Sequence, residues 1–399
     1  MKQLQILSLT GLFFFGLSSQ IAQAATYSDL LKNVMQNQPE QTALTGYDEV
    51  ERSANTAANS FFSGNTNLVI AHENDAMTGD LDKTKWHIGA EFPLWLPGQA
   101  DSQAQLAQGY SSLRNNQVNY LKWRASGQLR DLVWQYKEAQ VQTEMAEESV
   151  AQANALLNLI NKLVKVGEKP KIDALIAQKL LLQAKSHLLS QGNQLDSVKK
   201  RYQSWTGSLE LPEQITENSI EVDMNDHPEL QKQQAELAIL KAELQNLKAG
   251  QKDNPVLSVG GFQEEDKAMS PNTSLFAQIS YPIGSSPTKK IEMAKQNTLV
   301  LNKEAEIKRY QIELQNRLYA SQQAVFLADK KLSISAQDMQ LAEQTLQLAQ
   351  QAYQAGESNI QTLMTAQQAF LESALQQALT QIEMAKAIAN HNQIAGDSL

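Results

Sequence analysis

The chain has 399 residues, no cysteine and a formal net charge of −9. The lack of cysteine excludes disulfides, thiolate metal sites and a cysteine-linked lipid anchor, and the acidic balance without a basic stripe argues against nucleic acid as a partner. Aromatic residues make up only 6% of the chain, which favours packed helices over a thick globular core.

The N-terminus reads as a secretory signal peptide over residues 1–24. Lys2 precedes an apolar run from Ile6 to about Leu17, and Ala22-Gln23-Ala24 has the small-x-small cleavage pattern. The run is shorter than the ~20 apolar residues of a spanning helix, and no later segment is apolar enough to span a bilayer as a helix.

Beyond the leader the chain divides into two units, 25–207 and 227–396, joined by a polar, acidic stretch, 208–226, read as an equatorial linker. In the first unit, strands are predicted at about 67–73 and 85–94. Trp86, Ile88, Ala90 and Phe92 alternate with His87, Gly89 and Glu91, which puts them on opposite faces. The loop "NDAMTGDLDK" joins the strands, and its acids with Glu73, namely Asp75, Asp80 and Asp82, read as a solvated tip. A long helix is predicted over 99–166, roughly 100 Å if unbroken, with Gly109 and Gly127 as points where it can bend. From Leu132 through Tyr136, Ala139, Thr143 and Ala146 to Val164 its apolar positions step by four and three, the seam of a left-handed coiled coil. After the turn "VGEKP", a return helix over 170–205 carries the same spacing.

The second unit repeats this order. Strands are predicted at about 256–262 and 274–283, with Leu275, Ala277, Ile279 and Tyr281 on the apolar face and the acidic loop "QEEDKAMSPNT" between them. A long helix follows over 288–355 and a return helix over 359–394. Landmarks recur at a constant offset of 189: Pro39-Glu40 as Pro228-Glu229, Phe92-Pro93 as Tyr281-Pro282, Gly167-Glu168 as Gly356-Glu357 (356 − 167), and Gly207 as Gly396. That offset points to a duplicated, domain-sized module. Four strands cannot close a barrel alone. They form either a soluble sheet or a barrel pooled from several chains, and three chains would supply twelve strands.

No nucleophile, base and orienting group stand together, so catalysis is not expected. The histidines lack chelating spacing; His72 and His87 share a hairpin but read as ordinary strand residues, and no metal site is expected. "GSSPTKK" at 284–290 lacks the second glycine and the βα context of a phosphate loop.

The order of hairpin, long helix, glycine turn and return helix, in duplicate, resembles the TolC-like outer-membrane efflux proteins. So do "PELQKQQAELAILKAELQNLKAG", "NPVLSVGG", "YPI", "YQAGESNIQTLMTAQQAFLESALQQA" and the terminal "IAG". The resemblance covers essentially the whole mature chain. "FPLWLPGQADSQAQLA" further resembles the branch that works with heavy-metal exporters. The resemblance implies a mainly α chain with transmembrane β-strands, trimeric, with a twelve-stranded barrel in the outer membrane of a Gram-negative bacterium and a periplasmic α-barrel. It implies a passive exit duct without cofactor, whose partners are a periplasmic adaptor and an inner-membrane transporter.

It also assigns sites. The helical tips that meet the adaptor would be Val166, Gly167 and Glu168 with Ala355, Gly356 and Glu357. The periplasmic constriction would involve Tyr353, and the family's gating aspartates fall at Asp173 and Ile176 in the first unit and at Thr362 and Thr365 in the second. With most of those carboxylates absent, closure is expected from packing and hydrogen bonding around Tyr353 and Asp173, and Asp173→Ala should change conductance in planar bilayers only modestly. Trp86, Ile88, Phe92, Leu275, Ile279 and Tyr281 would face lipid. The rival reading is a periplasmic coiled-coil adaptor or scaffold without a pore.

Overall fold

The computed structural model describes residues 26–399 apart from 80, 222, 285 and 286. The expected signal peptide and Asp80 lie outside the described residues. In chain order the elements are α1 (Tyr27–Gln36), α2 (Ala43–Ala58), β1 (Asn67–Asn74), β2 (Thr84–Pro93), α3 (Gln99–Lys165), α4 (Lys171–Thr206), α5 (Pro228–Ala249), β3 (Val256–Asp266), β4 (Met269–Ser280), α6 (Pro287–Gln354) and α7 (Ile360–Ala395).

The two long helices have 67 and 68 residues, and α4 and α7 have 36 each. Both ends of α7 lie 189 positions beyond those of α4 (360 − 171 and 395 − 206). α1 has no such counterpart: the matching positions, 216–225, belong mostly to the extended linker. α3 runs as one helix through both of its glycines. A Cβ at Gly109 would lie 3.3 Å from Ile239, and one at Gly127 2.9 Å from the Gln393 amide, so the missing side chains admit α5 and α7 against α3.

α3 packs on α4, α5 and α7, and α6 packs on α5 and α7. The long and return helices therefore form a layer ordered α4, α3, α7, α6, with α4 and α6 at its edges. One apolar cluster docks α1 on α3 and α4 through Leu30, Val34, Leu129, Val133 and Tyr202. A second, at the far end, joins all four helices through Ile160, Ala177, Tyr353, Ile360 and Leu363. The seam read from Leu132 to Val164 is inward-facing throughout, fully buried at Leu132, Ala139, Ala146 and Ile160.

The strands form one antiparallel sheet in the order β1-β2-β3-β4. Its second hairpin is longer than expected at the tip and shorter at the base. β3 and β4 pair as far as Asp266 and Met269, leaving only a two-residue turn, while β4 stops at Ser280, so Tyr281 lies beyond the strand. Polar side chains had suggested a loop, but Gln263 and Glu264 pair with Thr273 and Asn272 through the backbone, which is indifferent to side-chain polarity. Pro271 sits on the edge strand beside an irregularity at Glu264/Asp266, where its missing N–H costs no ladder bond.

The tightest point of the sheet is Gly260, opposite Gly89. A Cβ there would lie 2.4 Å from the Ile88 carbonyl oxygen and 2.6 Å from the Gly89 Cα. Both are backbone atoms that cannot move aside, so Gly260→Ala is expected to cost about 2–3 kcal/mol. Denaturant unfolding should register that loss. A methyl at Gly261, 3.3 Å from its nearest neighbour, should cost less.

The stretch 208–226, expected only to link the units, is pinned to the helical layer. Arg130, 3% exposed, donates to both Glu217 carboxylate oxygens at 2.8 Å, to Asp397 Oδ2 at 2.7 Å and to Gln393 Oε1 at 2.6 Å. Asn392 adds donor bonds to Glu217 and to the Asn218 carbonyl, and accepts from the Ile220 N–H.

Candidate functional site

Three exposed regions of the molecule stand out: the two helical tips, one face of the sheet, and the edges of the helical layer.

Both tips end a long helix in the same way. At the first, the Gly167 N–H reaches the Val164 carbonyl (3.1 Å) and the Glu168 N–H the Leu163 carbonyl (3.0 Å). At the second, the Gly356 N–H reaches Tyr353 (3.2 Å) and the Glu357 N–H reaches Ala352 (2.9 Å). This paired six-to-one and five-to-two pattern requires a left-handed residue, and the glycines supply it at φ +81° and +80°. The return helices are capped differently. Pro170 precedes α4, while Asn359 Oδ1 accepts the Thr362 N–H at 2.9 Å before α7. Val166, Gly167, Glu168, Ala355, Gly356 and Glu357 are all exposed.

Just behind the tips, Tyr353 and Asp173 meet. The phenol donates to Asp173 Oδ2 at 3.0 Å, with Tyr353 fully buried and Asp173 8% exposed. Asp173 lies in the first turn of α4, where the partial positive charge of the helix N-terminus favours a carboxylate. Burial first, and then the Asp173 carboxylate, pushes the Tyr353 phenol far up, so it stays a neutral donor. Lys169 Nζ stands 4.3 Å from the centre of the same ring. Thr362 and Thr365 do not join this pair. Both are exposed, and their hydroxyls bond locally to Asn359 Oδ1 (3.1 Å) and to the Gln361 carbonyl (2.9 Å).

One face of the sheet is a continuous apolar wall. Cross-strand rows run Ile70–Ile88–Gly261–Leu275, Leu68–Ala90–Val259–Ala277 and Phe92–Leu257–Ile279. Trp86, Ile88, Leu275 and Ile279 on this face are exposed, Leu275 by 88%, while Phe92 is half-buried against Phe62. Tyr281 is exposed beyond the strand end. The opposite face is mixed: Lys85 lies 3.8 Å from Glu264, and the His87 ring lies near the rings of Phe262 and Phe276. At the layer edges, α4 exposes Leu175, Leu182 and Leu189, and α6 exposes Leu327, Ile334, Leu341 and Leu348, each series at intervals of seven. These are coiled-coil stripes left uncovered by the described residues.

At the base of α5, His227 is buried against Trp123 and Tyr310 and accepts the Glu229 N–H at Nδ1 (3.2 Å). Burial first, then Arg317, lowers its pKa to about 4. The unfolded chain therefore takes up a proton near pH 6.5 that the folded chain refuses until about pH 4. Stability contributed by neutral His227 is fully present above the higher value and is lost as pH falls through that window, by up to about 3 kcal/mol. Urea midpoints measured across the window should fall steeply for wild type and less for His227→Asn. His391, also lowered by burial, keeps part of the slope.

Among the described residues no helix is long and apolar enough to cross a membrane, and no group of three or more His, Asp or Glu side chains is placed to hold a metal ion.

A sheet apolar on one side at one end, and paired helical hairpins running to glycine tips at the other, define the fold of TolC-like outer-membrane channels. No family model matches the chain, and no curated protein matches it in sequence. Solved structures do. The chain is similar to the outer membrane protein VceC of Vibrio cholerae, with a TM-score of 0.73 at 13% identity over 93% of this chain and 96% of that one. It is also similar to the CmeC outer membrane channel of Campylobacter jejuni (0.68, 11% identity, 92% and 85%) and to the open state of the MtrE outer membrane channel of Neisseria gonorrhoeae (0.66, 14% identity, 93% and 88%). At these identities the likeness establishes the fold, over nearly the whole length of each partner.

Proposed function

We propose that this protein is a passive exit duct of the outer membrane, a homotrimer joined at its helical tips to a periplasmic adaptor and through it to an inner-membrane transporter. One observation carries the reading: the sheet is apolar on one face and both of its edge strands, β1 and β4, lack a further partner among the described residues. In water such a face invites aggregation, and in lipid open edges would cost several kcal/mol for each unpaired group. Pooling strands from copies of the chain removes both penalties at once, and the unpartnered stripes on α4 and α6 lie where neighbouring copies would meet. Three copies give 3 × 4 = 12 strands, an even number within the range of outer-membrane barrels.

In this reading Trp86, Ile88, Phe92, Leu275, Ile279 and Tyr281 contact lipid, the six exposed tip residues meet the adaptor, and Tyr353 with Asp173 holds the periplasmic mouth. Thr362 and Thr365 line the same mouth without contributing charge. The adaptor alternative lacks support, since a soluble connector gives no use to an exposed apolar sheet face. The test is the mass of the detergent-solubilised protein from the outer-membrane fraction, followed by reconstitution in planar bilayers. Three copies with stepwise ion conductance are expected; a monomer released by salt washing would overturn the proposal.

A further inference from the structure

The two tips share a backbone but not a charge. From 162 to 173 the first carries Lys162, Lys165, Lys169 and Lys171 against Glu168 and Asp173, and Asp173 is buried on Tyr353. The matching stretch, 351–362 (162 + 189 and 173 + 189), carries Glu357 alone. None of the four lysines pairs with a carboxylate among the described residues. Lys162 and Lys165 sit in the last turn of α3, where a cation is favourable. Lys171 opens α4 and Lys169 just precedes it, at a helix N-terminus where a cation is unfavourable, so the helix itself does not account for them. Lys169 has a further property: its ammonium lies over the ring whose hydroxyl holds Asp173.

We propose that the first tip of each unit pair seats an acidic loop of the periplasmic partner, and that Lys169 carries the docking to the Tyr353–Asp173 contact. This rests on the exit-duct reading and adds to it the chemistry of the partner. A helical hairpin with carboxylates at its turn is attracted by the first tip and repelled by Glu357 at the second, so the two tips meet the adaptor through different chemistry and only the first takes the acidic loop. A carboxylate that draws the Lys169 ammonium outward removes the cation from the ring face, and the second tip loosens.

The probes are two helical-hairpin peptides, one with three glutamates at its turn and one with glutamines, titrated against the detergent-solubilised full chain. The glutamate peptide is expected to bind about tenfold tighter, with an advantage that shrinks as salt rises. The quadruple variant Lys162→Gln, Lys165→Gln, Lys169→Gln, Lys171→Gln should lose that advantage. Amide exchange over residues 352–358 should accelerate when the glutamate peptide binds wild type. In Lys169→Gln it should be fast already and unresponsive, while Lys169→Arg, which keeps a cation over the ring, should behave as wild type. Equal binding of the two peptides, a preference that survives the quadruple variant, or exchange that ignores the bound peptide would each overturn the proposal. A trimer without conductance would sink the duct reading, while the peptide preference would still decide the seat.

Discussion

Arg130→Met is expected to destabilise the fold by about 3–5 kcal/mol, the cost of removing one member of a buried ion cluster and stranding the others. The guanidinium is 3% exposed and all of its bonds go to groups that meet nowhere else: Glu217 from the linker, Gln393 at the end of α7, and Asp397 in the C-terminal segment. Its fork takes Glu217 in bidentate fashion, two contacts of 2.8 Å, which a lysine's point charge cannot reproduce. Without it, Glu217 retains only the Asn392 amide, and Asp397 keeps its backbone bond to Asn392 while its carboxylate is left unpaired. Urea unfolding of the purified protein should show the loss. The triple variant Arg130→Met, Glu217→Gln, Asp397→Asn should recover a large part of it, because no uncompensated charge remains. A triple variant as weak as the single one would mean that packing, and not stranded charge, makes the contribution.

The same cluster shows where reading the sequence stops. Helix seams, turns and the constant offset are local or periodic signals, and they located α3, α4, α6 and α7 to within a residue or two because a four-three spacing constrains every turn. The glycine tips were legible for the same reason, since Gly167 and Gly356 sit where a helix must reverse. Arg130 carried no such mark: a lone arginine in a helix reads as solvent-exposed, and its partners are 87 and 267 positions away. The linker looked disposable because its acids have a partner only in three dimensions. The extent of β3 and β4 was misjudged because strand pairing beyond the apolar band is written in the backbone. Tyr353 and Asp173 were brought together by the resemblance and not by any local pattern, since their bond spans 180 positions and both repeat units. The threonines at 362 and 365 were assigned to the constriction by resemblance alone, and the structure turns their hydroxyls onto their own helix.

Tyr353→Phe should loosen the tips without unfolding the rest. The substitution keeps the ring, its burial and the Lys169 contact, and removes only the hydroxyl that reaches Asp173 at 3.0 Å. A buried carboxylate left without its donor costs about 1–3 kcal/mol. The loss falls on the side-chain hydrogen bond that, among the described residues, ties the end of α6 to the start of α4. The helices above the tips keep their seams, so the effect is local opening rather than global unfolding. Trypsin, which cleaves after Lys165 and Lys171 but not at the Lys169–Pro170 bond, samples that opening directly. Cleavage is expected to accelerate by roughly 10- to 100-fold, while the urea midpoint of the whole protein changes little. Asp173→Asn keeps an acceptor for the phenol and should accelerate cleavage less than Tyr353→Phe. Equal cleavage of wild type and Tyr353→Phe would show that apolar packing around Ile160, Ile360 and Leu363 alone closes the tip, and the hydrogen bond would lose its place in closure of the mouth.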